Sequence, residues 1–214
     1  TYKDESTVTD AQEIISKYNL GKFNLLETPK EDKYFEKVHN FVLVSNKTAV
    51  EAMTKKSQEF GLTSEIISTE MYDEIEEVLR KIFNRQSNNT VILAAGEPKI
   101  KVKEQGGVGG RNLHMGLKAI KLKMVNDHSV FISLASDGMD NSDVAGALVD
   151  KNTVEKINKL GLNVNDYLER FDSYPVFQRS GGCCLRSCGS FLGWVVTKDL
   201  AERARALTHL ALAA

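Results

Sequence analysis

Short apolar runs that suit buried strands alternate along this chain with apolar stripes at helical spacing. This alternation limits the fold more than any other feature, because strands of this kind need helices on both faces of their sheet. The predicted strands are 41–44, 62–68, 91–95, 99–103 and 130–135. The predicted helices are 10–18, 48–60, 71–83, 113–124, 153–160 and 165–171. The pattern therefore predicts an α/β fold of Rossmann type, with a mostly parallel sheet covered on both faces.

Polar side chains follow three of the predicted strands. Ser45 and Asn46 follow the first, Glu97 follows the strand at 91–95, and Ser136 and Asp137 follow the last. In open α/β sheets, ligands bind in the crevice beyond the carboxyl ends of the strands. We therefore expect these residues to contribute to a ligand site.

A glycine loop, residues 106–110, stands directly before an arginine and a predicted helix. Glycine allows close approach of a ligand, and a helix N-terminus adds partial positive charge, so the segment suits a phosphate or carboxylate. The predicted anion-binding residues are Gly106, Gly107, Gly109, Gly110, Arg111 and Asn112. The alternative is a flexible connection without a ligand. The segment matches neither the Walker loop nor the dinucleotide fingerprint.

A carboxylate loop, residues 136–143, places three aspartates directly after a buried strand. Mg²⁺ in phosphoryl transfer is held by one or two carboxylates together with phosphates and waters. Ser136, Asp137, Gly138 and Asp140 are therefore predicted to lie near a metal and a phosphate, with Asp137 as the metal ligand. Asp143 is predicted instead to cap a short helix that runs to residue 147.

Other residues that could carry chemistry give weaker signals. The four histidines lack metal or catalytic spacing, and His114 is predicted to be a surface residue. Lys118 and Lys121 are predicted to lie on a solvated helix face. The three cysteines, Cys183, Cys184 and Cys188, form a poor zinc site, and their scarcity indicates a reducing compartment.

The overall charge excludes some classes of partner. A net charge of −1 provides no basic field to attract nucleic acid or a membrane surface. No apolar run is long enough to span a bilayer. We therefore expect a cytoplasmic protein that binds a small molecule, with homo-oligomerisation left open.

Five segments in order resemble the C-terminal MOFRL region of the glycerate 2-kinases. These segments are Ala95-Gly96-Glu97-Pro98, Gly109-Gly110-Arg111-Asn112, Ser136-Asp137-Gly138-Met139-Asp140, Asp143-x-Ala145-Gly146-Ala147 and Asp172-Ser173-Tyr174. The resemblance implies phosphorylation of glycerate at its 2-hydroxyl, with ATP and Mg²⁺, in a cleft between two α/β domains. It also implies that Arg111 is the catalytic arginine and that the acidic Ser-Asp-Gly turn is 136–138.

The resemblance also implies a domain organisation. Residues 1–37 would end the family's N-terminal domain, and 38–182 would form the second domain, with the MOFRL region at about 88–182. The family's catalytic lysine and glycine-rich signature lie upstream of Thr1, so we expect this chain to be a weakly active or inactive fragment. Family members carry Gln-Glu where this chain has Leu113-His114, which puts any contact of that glutamate in doubt.

Residues 183–214 differ from the rest of the chain in composition, with the first cysteines and an Ala/Leu/Arg-rich run. This change predicts a reading-frame slip or foreign sequence from about residue 182. The alternative is a native amphipathic helix with Leu200, Ala204, Leu207 and Ala211 on one face.

Two other functions remain alternatives to a kinase. The same loops could form a non-catalytic module that binds a nucleotide or an organic acid. A hydroxypyruvate reductase would require a dinucleotide fingerprint, which this sequence lacks.

Overall fold

A computed structural model describes residues 2–102, 106–184 and 192–197 of the chain. Its contacts divide the chain into two units, Thr1–Leu43 and Val44–Ala214. The first unit holds helix α1, Val8–Lys17, and a single 3₁₀ turn, Asp32–Tyr34. Thr7 and Asp10 form a reciprocal capping box at the start of α1, and no residue of that helix is buried.

The second unit contains a six-stranded sheet and six helices within the described residues. The strands are β1 Thr63–Met71, β2 Thr90–Gly96, β3 Ser129–Leu134, β4 Gly146–Val149, β5 Cys183–Cys184 and β6 Leu192–Thr197. The helices are α2 Asn46–Glu59, α3 Ile75–Phe83, α4 Arg111–Lys121, α5 Lys151–Lys159, α6 Val164–Glu169 and α7 Tyr174–Ser180.

The order of strands across the sheet is β1-β2-β6-β3-β4-β5. β1 and β2 pair in parallel, whereas β6 lies antiparallel between β2 and β3, and the β3–β4 and β4–β5 pairs are antiparallel. β1, β2, β3 and β5 consequently point the same way. The predicted α/β class is confirmed, and a shared direction holds for these four strands. Among the described strands, parallel hydrogen bonding joins only β1 and β2, because β6 lies antiparallel between β2 and β3, and β4 returns antiparallel beside β3.

Helices cover both faces of the sheet, as the sequence predicts. On one face, Val50 and Met53 of α2 pack against alternate residues of β2 and β3. On the other face, α3, α4, α5 and α7 bury a larger cluster around Phe131 and Phe177, which are both fully buried. β2 and β3 are buried along their whole lengths, which explains their continuous apolar sequences.

Three predicted elements are wrong. Residues 41–44 form no strand, and Phe41 is 83% exposed, because no described strand pairs with this run. The described part of 99–103 makes one isolated bridge, between Lys99 and Glu74, instead of a strand. The helix predicted after Asp143 is replaced by strand β4, which continues the sheet beside β3.

The C-terminal part of the chain, from residue 183, is described only in two short segments, 183–184 and 192–197. β5 and β6 take their places in the sheet, whereas the helix proposed for 200–211 lies outside the described residues. The predicted domain boundaries and the origin of 183–214 stay predictions.

Among the described residues, no helix is both long and apolar enough to cross a membrane.

Candidate functional site

The sheet brings the two candidate loops to one edge. β2 and β3 both pair antiparallel with β6, so their carboxyl ends, at Gly96 and Leu134, lie on the same side. A cleft of about 710 Å³ opens there. It is lined by these predicted site residues: Glu97, Gly106, Gly107, Gly109, Gly110, Arg111, Asn112, Asp137 and Asp140. Loops that are distant in sequence therefore meet at one site, as expected for a crevice at strand ends.

Four predicted residues lie outside the lining of this cleft. Ser136 and Gly138 belong to the carboxylate loop but do not line the cleft. Ser45 caps α2 by accepting a hydrogen bond from the Thr48 amide, and the Asn46 side chain donates to the carbonyl of Thr69 at 3.1 Å. These hydrogen bonds give Ser45 and Asn46 a structural role at the start of α2. Their role in ligand binding stays a prediction.

The glycine loop is packed tightly against residues 170–174. The Gly107 amide donates to the carbonyl of Arg170 at 2.8 Å, and the Val108 amide donates to Asp172 Oδ1 at 2.9 Å. A Cβ atom at Gly107 would overlap the side chain of Asp172, so only glycine allows this approach. The loop is therefore a fixed wall of the cleft, and two of its amides serve the fold instead of a ligand.

Asp140 caps the start of α4 from a distant part of the chain. The N-cap residue Gly110 has no side chain to satisfy the first amides of the helix. Asp140 Oδ1 accepts from the amide and the side-chain nitrogen of Asn112, and Oδ2 accepts from the Leu113 amide at 2.6 Å. A carboxylate at this position also balances the positive end of the helix dipole.

The Asp140 contacts continue into the sheet. Asn112 Oδ1 accepts from the Ser133 hydroxyl at 2.6 Å, so β3, α4 and the carboxylate loop share one buried polar network. Burial raises the pKa of Asp140, and the hydrogen bonds from Leu113 and Asn112 oppose that rise. Asp140 is only 4% exposed, and both of its carboxylate oxygens already accept hydrogen bonds. Its geometry therefore suits the capping of α4 better than the binding of a metal ion.

Arg111 is the first residue of α4 and faces the cleft. Its Nη1 atom donates to the carbonyl of Pro98 at 3.1 Å and forms an ion pair with Glu97 Oε1 at 2.9 Å. The side chain is 32% exposed, so solvent and ligands can reach it. A guanidinium fork suits a carboxylate or a phosphate, since it can donate two parallel hydrogen bonds.

Asp137 is exposed and lines the same cleft. Its Oδ1 atom accepts a hydrogen bond from the Met139 amide at 3.0 Å, which forms a local turn. Its carboxylate otherwise faces solvent. Among the described residues, no group of three or more His, Cys, Asp or Glu side chains could hold a metal ion.

His114 lines the cleft, which corrects its prediction as a surface residue. It lies one helical turn after Arg111, and its ring stacks on Phe171 with ring centroids 5.1 Å apart. Its Nδ1 atom is buried without a hydrogen-bond partner. Burial, with a smaller contribution from Lys118, lowers the pKa of His114 to about 4. No sequence signal indicates this contact, because residues 114 and 171 are far apart in the chain.

The remaining candidates take structural places. Lys118 is half-buried and pairs with Glu76 at 2.6 Å, so the predicted solvated helix face is partly wrong. Burial raises the pKa of the Cys183 thiol to about 11, which makes that thiol unreactive at neutral pH. Cys188 lies outside the described residues.

Comparisons with known proteins identify relatives of this chain. Residues 90–190 match the MOFRL family. A glycerate 2-kinase of Pyrococcus horikoshii is 27% identical over 208 residues, which cover 85% of this chain and 47% of the relative. A glycerate 2-kinase of Sulfurisphaera tokodaii is 30% identical over 198 residues, which cover 85% and 46% of the two chains.

A solved structure has the same fold. The glycerate kinase of Thermotoga maritima superposes with a TM-score of 0.71 at 24% identity, over 91% of this chain and 51% of that protein. The chain thus spans about half the length of the relatives that it matches. Residues 90–190 form a MOFRL family domain, in a chain that is homologous to glycerate 2-kinases over most of its length.

Proposed function

We propose that this chain supplies one side of the active site of a glycerate 2-kinase, which transfers a phosphoryl group from ATP to the 2-hydroxyl of glycerate. The observation that carries the proposal is the single cleft in which Arg111, the glycine loop and Asp137 meet. Homology to glycerate 2-kinases supports the choice of substrate. Phosphoryl transfer depends mainly on positioning and on stabilisation of charge, and this cleft offers groups suited to both.

Arg111 is the catalytic residue in this proposal. It would hold the glycerate carboxylate or stabilise charge on the transferring phosphoryl group. Its guanidinium, which is partly exposed, already pairs with the carboxylate of Glu97. An anionic ligand would compete for the same donors. The amides of Gly109 and Arg111 lie at the start of α4 beside the cleft, where they could add hydrogen bonds to an anion.

The charge of the cleft requires a further cation. Among the described residues that line the cleft, one arginine accompanies three carboxylates, those of Glu97, Asp137 and Asp140. ATP and glycerate add more negative charge, so binding needs a divalent cation or a basic residue from elsewhere. Mg²⁺ at phosphoryl-transfer sites takes one or two protein carboxylates and completes its shell with phosphates and waters. Asp137 fits that partial role because it is exposed and only Oδ1 is hydrogen-bonded.

Turnover by the 214-residue chain alone is expected to be very low. The chain spans about half the length of its relatives, and catalysis by positioning requires all parts of the site together. Binding is a less demanding property than turnover. We therefore expect the chain to bind glycerate and Mg²⁺-ATP weakly without forming 2-phosphoglycerate at a useful rate.

The test is ATP-dependent formation of 2-phosphoglycerate by the full-length protein that contains this chain. Arg111→Ala should lower turnover by about 10³-fold, as expected when an arginine that stabilises phosphoryl charge is removed. Arg85→Ala is the matched control, because Arg85 is an exposed arginine that pairs with Glu65 and does not line the cleft. The control should keep wild-type turnover.

Two results would change the proposal. Near-normal turnover of the Arg111→Ala protein would remove Arg111 from the mechanism. Binding of nucleotide or organic acid by the full-length protein, without any phosphoryl transfer, would favour the non-catalytic binding module instead.

A further inference from the structure

Two clefts share one wall beside Arg111, and the imidazole of His114 forms the polar part of that wall. The second cleft, of about 430 Å³, is lined by His114, Ile100 and Phe171, and all three residues also line the larger cleft. His114 follows Arg111 by three residues on α4, and side chains at this spacing lie on the same face of a helix. The imidazole and the guanidinium are therefore neighbours at the mouth of one site.

The position of the ring is fixed by a strained residue. Phe171 has a φ of 52°, a value that a bulky residue rarely adopts. This backbone directs the phenyl ring against His114, where the two rings stack with an interplanar angle of 16°. A Cβ atom at Gly106 would approach the Cβ atom of Phe171 within 2.7 Å, so the glycine loop packs closely against this residue. Strain of this kind concentrates where a side chain must be held for function.

The two ring nitrogens of His114 have different surroundings. Nδ1 is buried with no hydrogen-bond partner, whereas Nε2 is not among the buried unpaired atoms, and the His114 side chain lines the cleft. A buried donor without a partner is rarer than a buried acceptor without one. The favoured neutral tautomer therefore carries its proton on Nε2, which becomes a neutral donor. Its lowered pKa, about 4, keeps the ring uncharged near pH 7.

We propose that His114 is a specificity residue, whose Nε2–H donates a hydrogen bond to a hydroxyl oxygen of the acid that Arg111 binds. This inference rests on the proposed function and adds a residue that distinguishes a hydroxy acid from an acid that lacks the hydroxyl. An uncharged donor suits a neutral hydroxyl, whereas the guanidinium of Arg111 suits the carboxylate. A site built to bond a hydroxyl discriminates against acids that lack it, since the donor is then left unpaired.

The test compares two acids and a set of histidine variants. Glycerate and propionate are titrated separately into the full-length protein that contains this chain, with Mg²⁺ and a non-hydrolysable ATP analogue, and binding is followed by NMR. His114→Phe should lower glycerate affinity about tenfold, the upper range for one hydrogen bond, and should leave propionate affinity within about twofold. His114→Gln retains a donor and should recover most of the loss. His114→Leu provides a second apolar variant if the phenylalanine disturbs the fold.

His128→Phe is the matched control, because His128 is exposed and does not line either cleft. It should leave both affinities unchanged. Wild-type affinity for glycerate in both folded apolar variants would overturn the inference and leave the proposed function intact. An equal loss for both acids would also overturn it, because the ring would then serve the carboxylate. Failure of the wild-type full-length protein to bind glycerate would reject the proposed function, and the inference with it.

Discussion

Asp137 and Asp140 lie three positions apart in one loop, yet the structure gives them opposite surroundings. Asp140 is 4% exposed and accepts hydrogen bonds from the first turn of α4 and from the side chain of Asn112. Asp137 is exposed at the cleft and accepts a single local hydrogen bond. The comparison teaches that one aspartate holds the site together, whereas the other remains available to a ligand or a metal.

The turn between the two aspartates explains the difference. Gly138 has a φ of 77°, a conformation that glycine adopts easily and that reverses the chain direction between the two side chains. The Asp140 amide then donates to the carbonyl of Val144 at 2.8 Å, which draws its carboxylate inward. Residue type alone would assign both aspartates to the same chemistry. Their backbone geometry separates them.

The largest expected effect is on stability, from removal of the buried carboxylate. Asp140→Ala leaves the donors on Asn112 and Leu113 unpaired in the interior and should lower the free energy of unfolding by about 3 kcal/mol. Urea denaturation of the 214-residue chain measures this change. Asp137→Ala is the control and should fall within about 0.5 kcal/mol of wild type. Equal effects of the two substitutions would break the comparison.

The next largest effect is a pH dependence of the free energy of unfolding, caused by His114 on helix α4. The folded-state pKa of about 4 lies below the ordinary 6.5, so the unfolded chain takes up this proton first as the pH falls. Stability is therefore lost between pH 6.5 and 4. Allowing for the partial exposure of the ring, we expect His114 to lower the free energy of unfolding at pH 4.5 by about 2 kcal/mol relative to neutral pH.

His114→Gln isolates this contribution. Asp140 has a raised pKa and changes stability in the opposite sense over acidic pH, but it is present in both proteins. The difference between the wild-type and His114→Gln unfolding free energies should shift against wild type as the pH falls from 7 to 4.5. A difference that does not vary with pH would show that the ring is not buried as described.

A smaller effect is expected on activity, from the exposed aspartate. Asp137→Asn in the full-length protein should lower turnover about tenfold and raise the Mg²⁺ concentration required, since an amide is a weaker ligand than a carboxylate. The melting temperature should not change. Turnover measured across a Mg²⁺ titration gives both values. An unaltered Mg²⁺ requirement would remove Asp137 from the metal site and weaken the contrast with Asp140.

The smallest expected effect concerns the third carboxylate of the cleft. Glu97 is 61% exposed and pairs with Arg111, and exposed ion pairs contribute little to stability. Glu97→Gln should therefore leave stability unchanged and free the guanidinium for anions, which raises affinity for inorganic phosphate about threefold. Titration of phosphate into the 214-residue chain tests this. Weaker binding would mean that Glu97 orients Arg111 for the ligand instead of competing with it.

Sequence periodicity predicted much of the scaffold of the second unit. The strands at 91–95 and 130–135 and the helix stripe from residue 113 are correct to within a few residues. These elements are buried on both faces or along one stripe, so their patterns are strong. The run 41–44 has a similar pattern but is exposed, because a short apolar run does not specify its own partner. The α/β class therefore follows from the pattern, whereas the pairing of particular strands does not.

The site was predicted in its parts but not in its connections. Glu97 and Asp137 were expected at a common ligand site, since both follow strands of a mostly parallel sheet. The network of Ser133, Asn112 and Asp140 and the stack of His114 on Phe171 were not predicted. Each joins residues more than 20 positions apart, and no local spacing encodes such a contact. The hydrogen bonds by which Asp140 caps α4 were missed for the same reason.

The most direct test of the central claim is an amide NMR titration of the 214-residue chain with Mg²⁺-ATP and glycerate. The account predicts that the shifted amides cluster at Gly109, Gly110, Arg111 and Asp137, whereas those of Ser45 and Asn46 move little. The same titration of the Arg111→Ala chain should show loss of these shifts. Shifts that centre on Ser45 and Asn46, or that persist without Arg111, would contradict the assignment of this cleft as the ligand site.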